Sequence, residues 1–245
     1  MTTTPTATRP AGIAPRRRMD PTRKVALAGG IAYLITFAAS IPQLKLFAAI
    51  IDDPAGYISA PRSNAAVLWG SWLEVVTAIA CIATAVALYP VTRRVSRTAA
   101  IGFVTSRVVE ATLIVVGVMC LLSVVTLQGH YAGSQPDALG VTGEALVAMR
   151  QWTFLLGPGL IAGLNGLLLG YVMYRGRLVP RIIPAIGLVG APIILASATG
   201  TLFGAWDQVS AAGAAGALPI AVWEFSLGVY LTVKGFKPSA ALAPS

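Results

Sequence analysis

Residues Ala99–Leu127 read AAIGFVTSRVVEATLIVVGVMCLLSVVTL, a run long and apolar enough to cross a bilayer. Two ionisable side chains, Arg107 and Glu110, interrupt it. A charge at that depth costs roughly 2.5–3.5 kcal/mol on insertion scales, so such a group turns toward a bundle interior and takes a partner. A spacing of three places both groups on one helix face. A single helix in lipid could not hide that face, so the stretch predicts neighbours.

The rest of the chain supplies them. Of its 245 residues 56% are hydrophobic and 11% charged, with a mean hydropathy of +0.76, which excludes a soluble domain of this length. Apolar runs at Val25–Ile51, Asn64–Tyr89, Ala99–Leu127, Val147–Tyr174, Ile182–Phe203 and Leu218–Phe236 each supply the ~20 residues a span requires. The predicted fold is all-α, a polytopic membrane protein built as a six-transmembrane-helix bundle. Pro42 is expected to bend or stop the first span near Gln43 and Lys45. The connections Asp52–Ser63, Gln128–Leu146 and Gly204–Ala217 read as short loops, dense in Gly, Pro, Ser or Ala. The three-span halves show no matching motifs that would mark an inverted repeat.

Three segments organise the chain. Residues 1–22 are rich in Thr, Pro, Ala and Arg and read as a disordered basic cytoplasmic tail. Residues 23–237 form the six-helix transmembrane domain, and 238–245 a short disordered C-terminal tail. The apolar core Val25–Ser40 has the shape of a signal-peptide core, but apolar character continues through Ile51, which favours a retained first span.

The formal charge of +9 is read by position rather than by sum. Under six alternating spans, fourteen of the eighteen basic residues fall on one side: the tail, the Arg93/Arg94/Arg97 and Arg175/Arg177/Arg181 loops, and Lys234 with Lys237. The positive-inside rule makes that side cytoplasmic and predicts a multi-pass protein of the bacterial inner membrane, the cell membrane, with both termini inside. Bordering charge of this kind speaks for lipid headgroups and against nucleic acid. Arg62 and Arg150 lie near the opposite face, and Lys45 and Arg107 within spans.

Counting helix rise from the basic ends puts Arg107 about 12 Å deep, Asn165 about 13 Å, Glu110 about 16 Å, Glu224 about 18 Å and Glu74 about 22 Å. These five residues, from the second, third, fourth and sixth spans, form the candidate site for a ligand or a coupled proton. Three carboxylates would then face one deep cation, Arg107, with Lys45 and Arg150 toward the outer end. In a low-dielectric interior that count predicts at least one glutamate protonated or neutralised by a bound cation. An Arg–Glu bridge that fixes helix register, a proton or cation coupling site and a catalytic dyad all remain compatible with it.

Glu74 shares its face with Gly70, Thr77, Ala78 and Cys81, a small-residue stripe that marks helix contact. The fourth span carries Gly159, Gly163, Gly166 and Gly170, suited to close packing or to a cavity, and Pro158, which can free backbone carbonyls. Cys81 and Cys120 fall at different depths and are not expected to pair. His130 stands alone on an outer loop, and no spacing suggests a metal, a cofactor or a phosphate-binding glycine loop, which speaks against ATP-driven transport by this chain alone.

The runs from Gly163 to Tyr171, from Gly176 to Arg181, and from Leu218-Pro219 through Glu224, Gly228 and Lys234-Gly235 resemble bacterial domain-of-unknown-function family 4386, whose third helix is also matched by Arg107 and Glu110. The resemblance implies six membrane helices and no known activity. It also implies a histidine in many members where Asn165 stands, and it singles out Glu224. The expectation is an integral membrane protein of unknown function, permease-like or ligand-sensing, taking a small polar or cationic solute. The alternatives are an intramembrane enzyme acting on a lipid, with a glutamate as acid or base, and a structural partner subunit. Its partner is the lipid bilayer, with a homo-oligomer possible through the glycine-rich fourth helix.

Overall fold

The computed structural model describes residues 19–134 and 136–243, and every regular element among them is helical. The helices are α1 Pro21–Leu46, α2 Ala48–Asp52, α3 Pro54–Ser59, α4 Ala65–Thr92, α5 Arg97–Tyr131, α6 Pro136–Phe154, α7 Ala162–Arg175, α8 Ile182–Leu202 and α9 Ala211–Val233. A π-helical turn, Leu155–Ile161, joins α6 to α7 into one long span. Among the described residues six helical segments are long and apolar enough to cross a membrane. The protein is a multi-pass integral membrane protein.

The six spans close into a ring in chain order. Each of α1, α4, α5, the α6–α7 span, α8 and α9 packs on the next, and α9 returns to α1. Exposed Ile35, Ile79, Val86, Met119 and Val189 face outward, where lipid takes the place of water. With tails as apolar as leucine outside, the hydrophobic effect gives little reason for helices to associate, and close packing of small residues has to serve. The α1–α9 seam shows how. A methyl at Gly30 would stand 2.8 Å from Gly228 O and 2.7 Å from Thr232 N, so only glycine admits this backbone approach. At the same seam the Arg23 guanidinium donates to Leu231 O at 2.8 Å and Thr232 O at 2.6 Å, capping the end carbonyls of α9 and holding both ends of the chain's helical domain at one face.

Tyr33, Leu88, Phe103, Leu169, Met173, Trp223 and Leu227 fill the half of the ring nearer the basic end. A second core, Phe47, Ile50, Tyr57, Ile58, Leu121, Val124 and Val147, fills the other end. That second core corrects the expected loops. The stretch 52–63 contains α3, capped by the Asp53 carboxylate accepting from Gly56 N at 2.9 Å. Tyr57 Oη donates to Asn64 Oδ1, Asn64 Nδ2 to Gln128 Oε1, and Gln128 Nε2 to Ala60 O, so the connection is tied to α5. Helix α6 begins at Pro136, eleven residues before the expected Val147, and α9 at Ala211, seven before Leu218. Hydropathy passes over the alanine- and glycine-rich starts of these helices, although alanine is the best helix former. Pro42 is accommodated inside α1, which ends at Leu46.

Of the expected tail, residues 1–18 lie outside the described residues, and Pro21 and Thr22 already belong to α1. At the other end Ala240–Leu242 make a 3₁₀ turn and Ser239 Oγ donates to Gly176 O at 2.6 Å, while 244–245 lie outside the described residues.

The seam makes a prediction. Gly30→Val should destabilise the detergent-solubilised protein by about 1–3 kcal/mol, the usual cost of overpacking. Gly102→Ala, whose added methyl meets only Leu168 side-chain atoms at 3.3 and 3.4 Å, should be neutral or stabilising. Fluorescence-detected thermal melts of the two variants check the contrast.

Candidate functional site

Arg107 leaves α5 toward the centre of the ring, where it is 2% exposed. Its Nη1 meets Glu110 Oε2 at 2.9 Å, one turn along the same helix, and its Nη2 pairs with Glu224 Oε1 from α9. Asn165, fully buried on α7, donates from Nδ2 to Glu110 Oε2 at 2.7 Å and takes the Ser106 hydroxyl at Oδ1. Tyr33 of α1 and Phe103 lie under the guanidinium, with ring centroids 5.2 and 5.7 Å from Arg107 Cζ. Cys81 of α4 brings its sulfur to 3.6 Å from Nη1. The spans α1, α4, α5, α7 and α9 thus converge on the Arg107–Glu110 pair.

Glu74 does not join them. It pairs with Arg150 from α6, both buried, with the Arg150 guanidinium over Phe47 at 5.6 Å and Phe154 at 4.9 Å. Gly117 makes the room, since a methyl there would stand 2.9 Å from Arg150 Cδ and 2.7 Å from Thr153 Oγ1. Glu74 precedes Cys81 by seven residues and Gly117 follows Glu110 by seven, two turns or about 10 Å along each helix. Ala78, Cys81, Ala111 and Ile114 form a small apolar cluster on these same stretches of α4 and α5.

The sequence-predicted set therefore divides. Arg107, Glu110, Asn165 and Glu224 come together, Glu74 stands apart with Arg150, and Lys45 is exposed at the end of α1. The depth count groups Glu74 with the other four, but its side chain meets Arg150, which that count sets toward the outer end. Tyr33, Ser106 and Phe103 were missed. Tyr33 lies one turn from Gly30 and Thr36 on a buried face of α1, a pattern a helical wheel could have shown. Ser106 gave no signal beyond its place beside Arg107.

The division changes the electrostatics. The outer pair is one cation with one carboxylate, whereas the inner site sets two carboxylates against one guanidinium. Among the described residues, buried Tyr33 Oη and Arg107 Nε find no hydrogen-bond partner, and neither do Glu74 Oε2 and Arg150 Nε in the outer pair. Buried polar atoms of this kind ordinarily find a partner.

The irregular backbone lies between the two sites. Pro158 cannot donate to Phe154 O, the carbonyl four residues before it, and Gln208 Nε2 donates to that oxygen at 3.2 Å. Gly163, Gly166 and Gly170 pack closely on Leu195, Ala191 and Leu188 of α8, and Gly159 on Gln208. The stripe considered for an oligomer is used within the chain.

A family model described as a domain of unknown function (DUF4386) matches residues 28–235. The chain belongs to this family. The DUF4386 match takes in every residue of the inner and outer sites. No curated protein and no solved structure matches the chain. In this DUF4386 protein the position the resemblance associates with histidine carries Asn165, a neutral amide that orients Glu110 and does not titrate.

The outer pair is open to a direct test. Glu74→Leu or Arg150→Met alone should cost about 3–5 kcal/mol by stranding a buried charge, and the double variant should recover most of that loss. A double-mutant cycle by steric trapping or SDS unfolding measures the coupling; strict additivity would show that the two side chains do not depend on each other.

Proposed function

We propose that this protein is permease-like or ligand-sensing, and that a proton shared between Glu110 and Glu224 is linked to binding of a small polar or cationic solute at Arg107. The supporting observation is the charge count, two carboxylates on one guanidinium in the bundle interior. Fully ionised, the site would carry a net charge of −1 in a low-dielectric medium, and a proton or a cation relieves it. Glu224 is the point of exchange, with 13% of its side chain accessible against 6% for Glu110. Arg107 stays charged at any working pH and supplies the fixed counter-ion. The distribution of basic residues supports cytoplasmic termini, with Arg107 nearer the cytoplasm and the Glu74–Arg150 pair nearer the outside.

Infrared difference spectroscopy over a pH titration of the purified protein reads carboxyl protonation directly. A protonated-carboxyl band near neutral pH is expected in the wild type, lost in Glu110→Gln or Glu224→Gln, and retained in the Glu74→Leu/Arg150→Met double variant. A wild type with no such band across its folded range would leave an ionised structural bridge and end the proposal. With the band present, a solute that binds the site should shift its midpoint, and the size of that shift measures the linkage.

A further inference from the structure

Independently of the central site, we infer that the basic end of the bundle binds an anionic phospholipid, its phosphate held by Arg177, Arg181 and Lys237 and one acyl chain lying in a groove between α8 and α9. A cavity of about 270 Å3 opens between the α7–α8 connection and the chain after α9, and among its described lining residues are those three cations and Val179, with no acid. An apolar groove of about 450 Å3 is lined by Ile183 of α8, by Phe225, Val229, Tyr230 and Val233 of α9, and by Lys234. Ile183 is two residues from Arg181 and Lys234 three from Lys237, so the cationic and apolar parts share both elements.

The cations are held in place by the backbone. Helix α7 ends with Leu178 N donating to Met173 O at 3.2 Å and Arg177 N to Tyr174 O at 3.3 Å, the paired bonds of a Schellman motif. The left-handed residue of that motif is usually glycine, yet here it is Arg177, at φ 52°. The neighbouring Gly176 does not relieve this, because it is needed for close approach: a methyl there would stand 2.6 Å from Val95 Cγ2. Lys237 N donates to Leu178 O at 2.8 Å, fixing the third cation beside the other two, and Arg181 stacks on Tyr174 with Cζ 5.3 Å from the ring centroid. Orientation of the protein in the membrane needs only a count of positive charge. It does not call for an arginine in a strained left-handed position, nor for three cations around one concavity. A phosphodiester with an attached acyl chain matches the cationic cavity and the apolar groove together, whereas free phosphate matches the cavity alone.

The test is a titration of the full chain in detergent by native mass spectrometry, with phosphatidylglycerol, phosphatidylcholine of the same chains, and inorganic phosphate as competitor. Phosphatidylglycerol should bind in preference to phosphatidylcholine. Neutralising any one of the three cations should weaken it about fivefold, the weight of one basic residue near an anionic headgroup. Arg177→Gly is the decisive variant, since it should hold or raise the melting temperature while losing affinity. Val229→Trp, which fills the groove, should weaken lipid binding, and Val222→Trp, exposed on α9 outside the groove, should not. Equal binding of the two lipids, or full affinity in Arg177→Gly, overturns the site. Displacement by inorganic phosphate with no effect of Val229→Trp overturns the lipid and leaves a phosphate site.

Discussion

The Arg107 guanidinium, held away from water at the centre of the ring, is the constraint on which the rest of the arrangement depends. α5 and α9 stand opposite each other in the ring, and α1 stands opposite α7. The Arg107–Glu224 pair therefore spans one diameter, while Tyr33 and Asn165 approach from the ends of another. Helices that share no packed seam are thereby held in register through side chains alone. A buried ion pair of this kind adds little net stability over well-packed apolar residues, because desolvation offsets most of the attraction. It does penalise every arrangement that separates the partners, since each leaves a charge unpaired in a low-dielectric interior. Specification of one arrangement is the structural return.

Two charged sites in one bundle are not equivalent devices. Glu74 and Arg150 cancel, so their pair is stable without further ions and works as a lock between α4 and α6. The inner site has a surplus carboxylate, so under the proposed function it is the one whose charge a proton or cation would change. At a separation of about 10 Å and an effective dielectric near 20, unit charges still interact by between 1 and 2 kcal/mol, so the neutrality of the outer pair limits its influence on the inner titration. The surplus stays at Glu110 and Glu224.

Much of the architecture was legible because lipid imposes a single rule: backbone groups are satisfied within helices, and long apolar runs reveal them. Arg107, Glu110, Asn165 and Glu224 were legible for the same reason, as polar residues at overlapping depths in a medium hostile to them. What the sequence hid was rotation about each helix axis and the helices built from weakly hydrophobic residues. Ala211–Ala217 and the segment from Pro136 onward look like loops to a hydropathy scale, although their propensity is helical. Setting Arg150 toward the outer end by depth alone did not reveal that it faces Glu74. The count set three carboxylates against Arg107 and left Arg150 at the outer end, whereas Glu74 belongs to Arg150 and two carboxylates remain on Arg107.

Access to the inner site is closed along the ring axis. Ala78, Cys81, Ala111 and Ile114 lie toward one end, and Leu88, Leu169, Met173, Leu227 and Leu231 toward the other. Under the proposed function a solute or proton reaching Glu110 along that axis would meet these packed side chains, so exchange by that route would require a helix to move. The fourth span is where the backbone is least committed. Its π turn carries Pro158 and two glycines, and Gln208 donates to Phe154 O at its start. A π turn holds about one residue more than an α turn, so rewinding it would rotate Arg150 relative to Asn165 by about 100°. The outer lock and the inner site are therefore mechanically connected through Leu155–Ile161, since the winding of that turn sets whether Arg150 faces Glu74 while Asn165 faces Glu110.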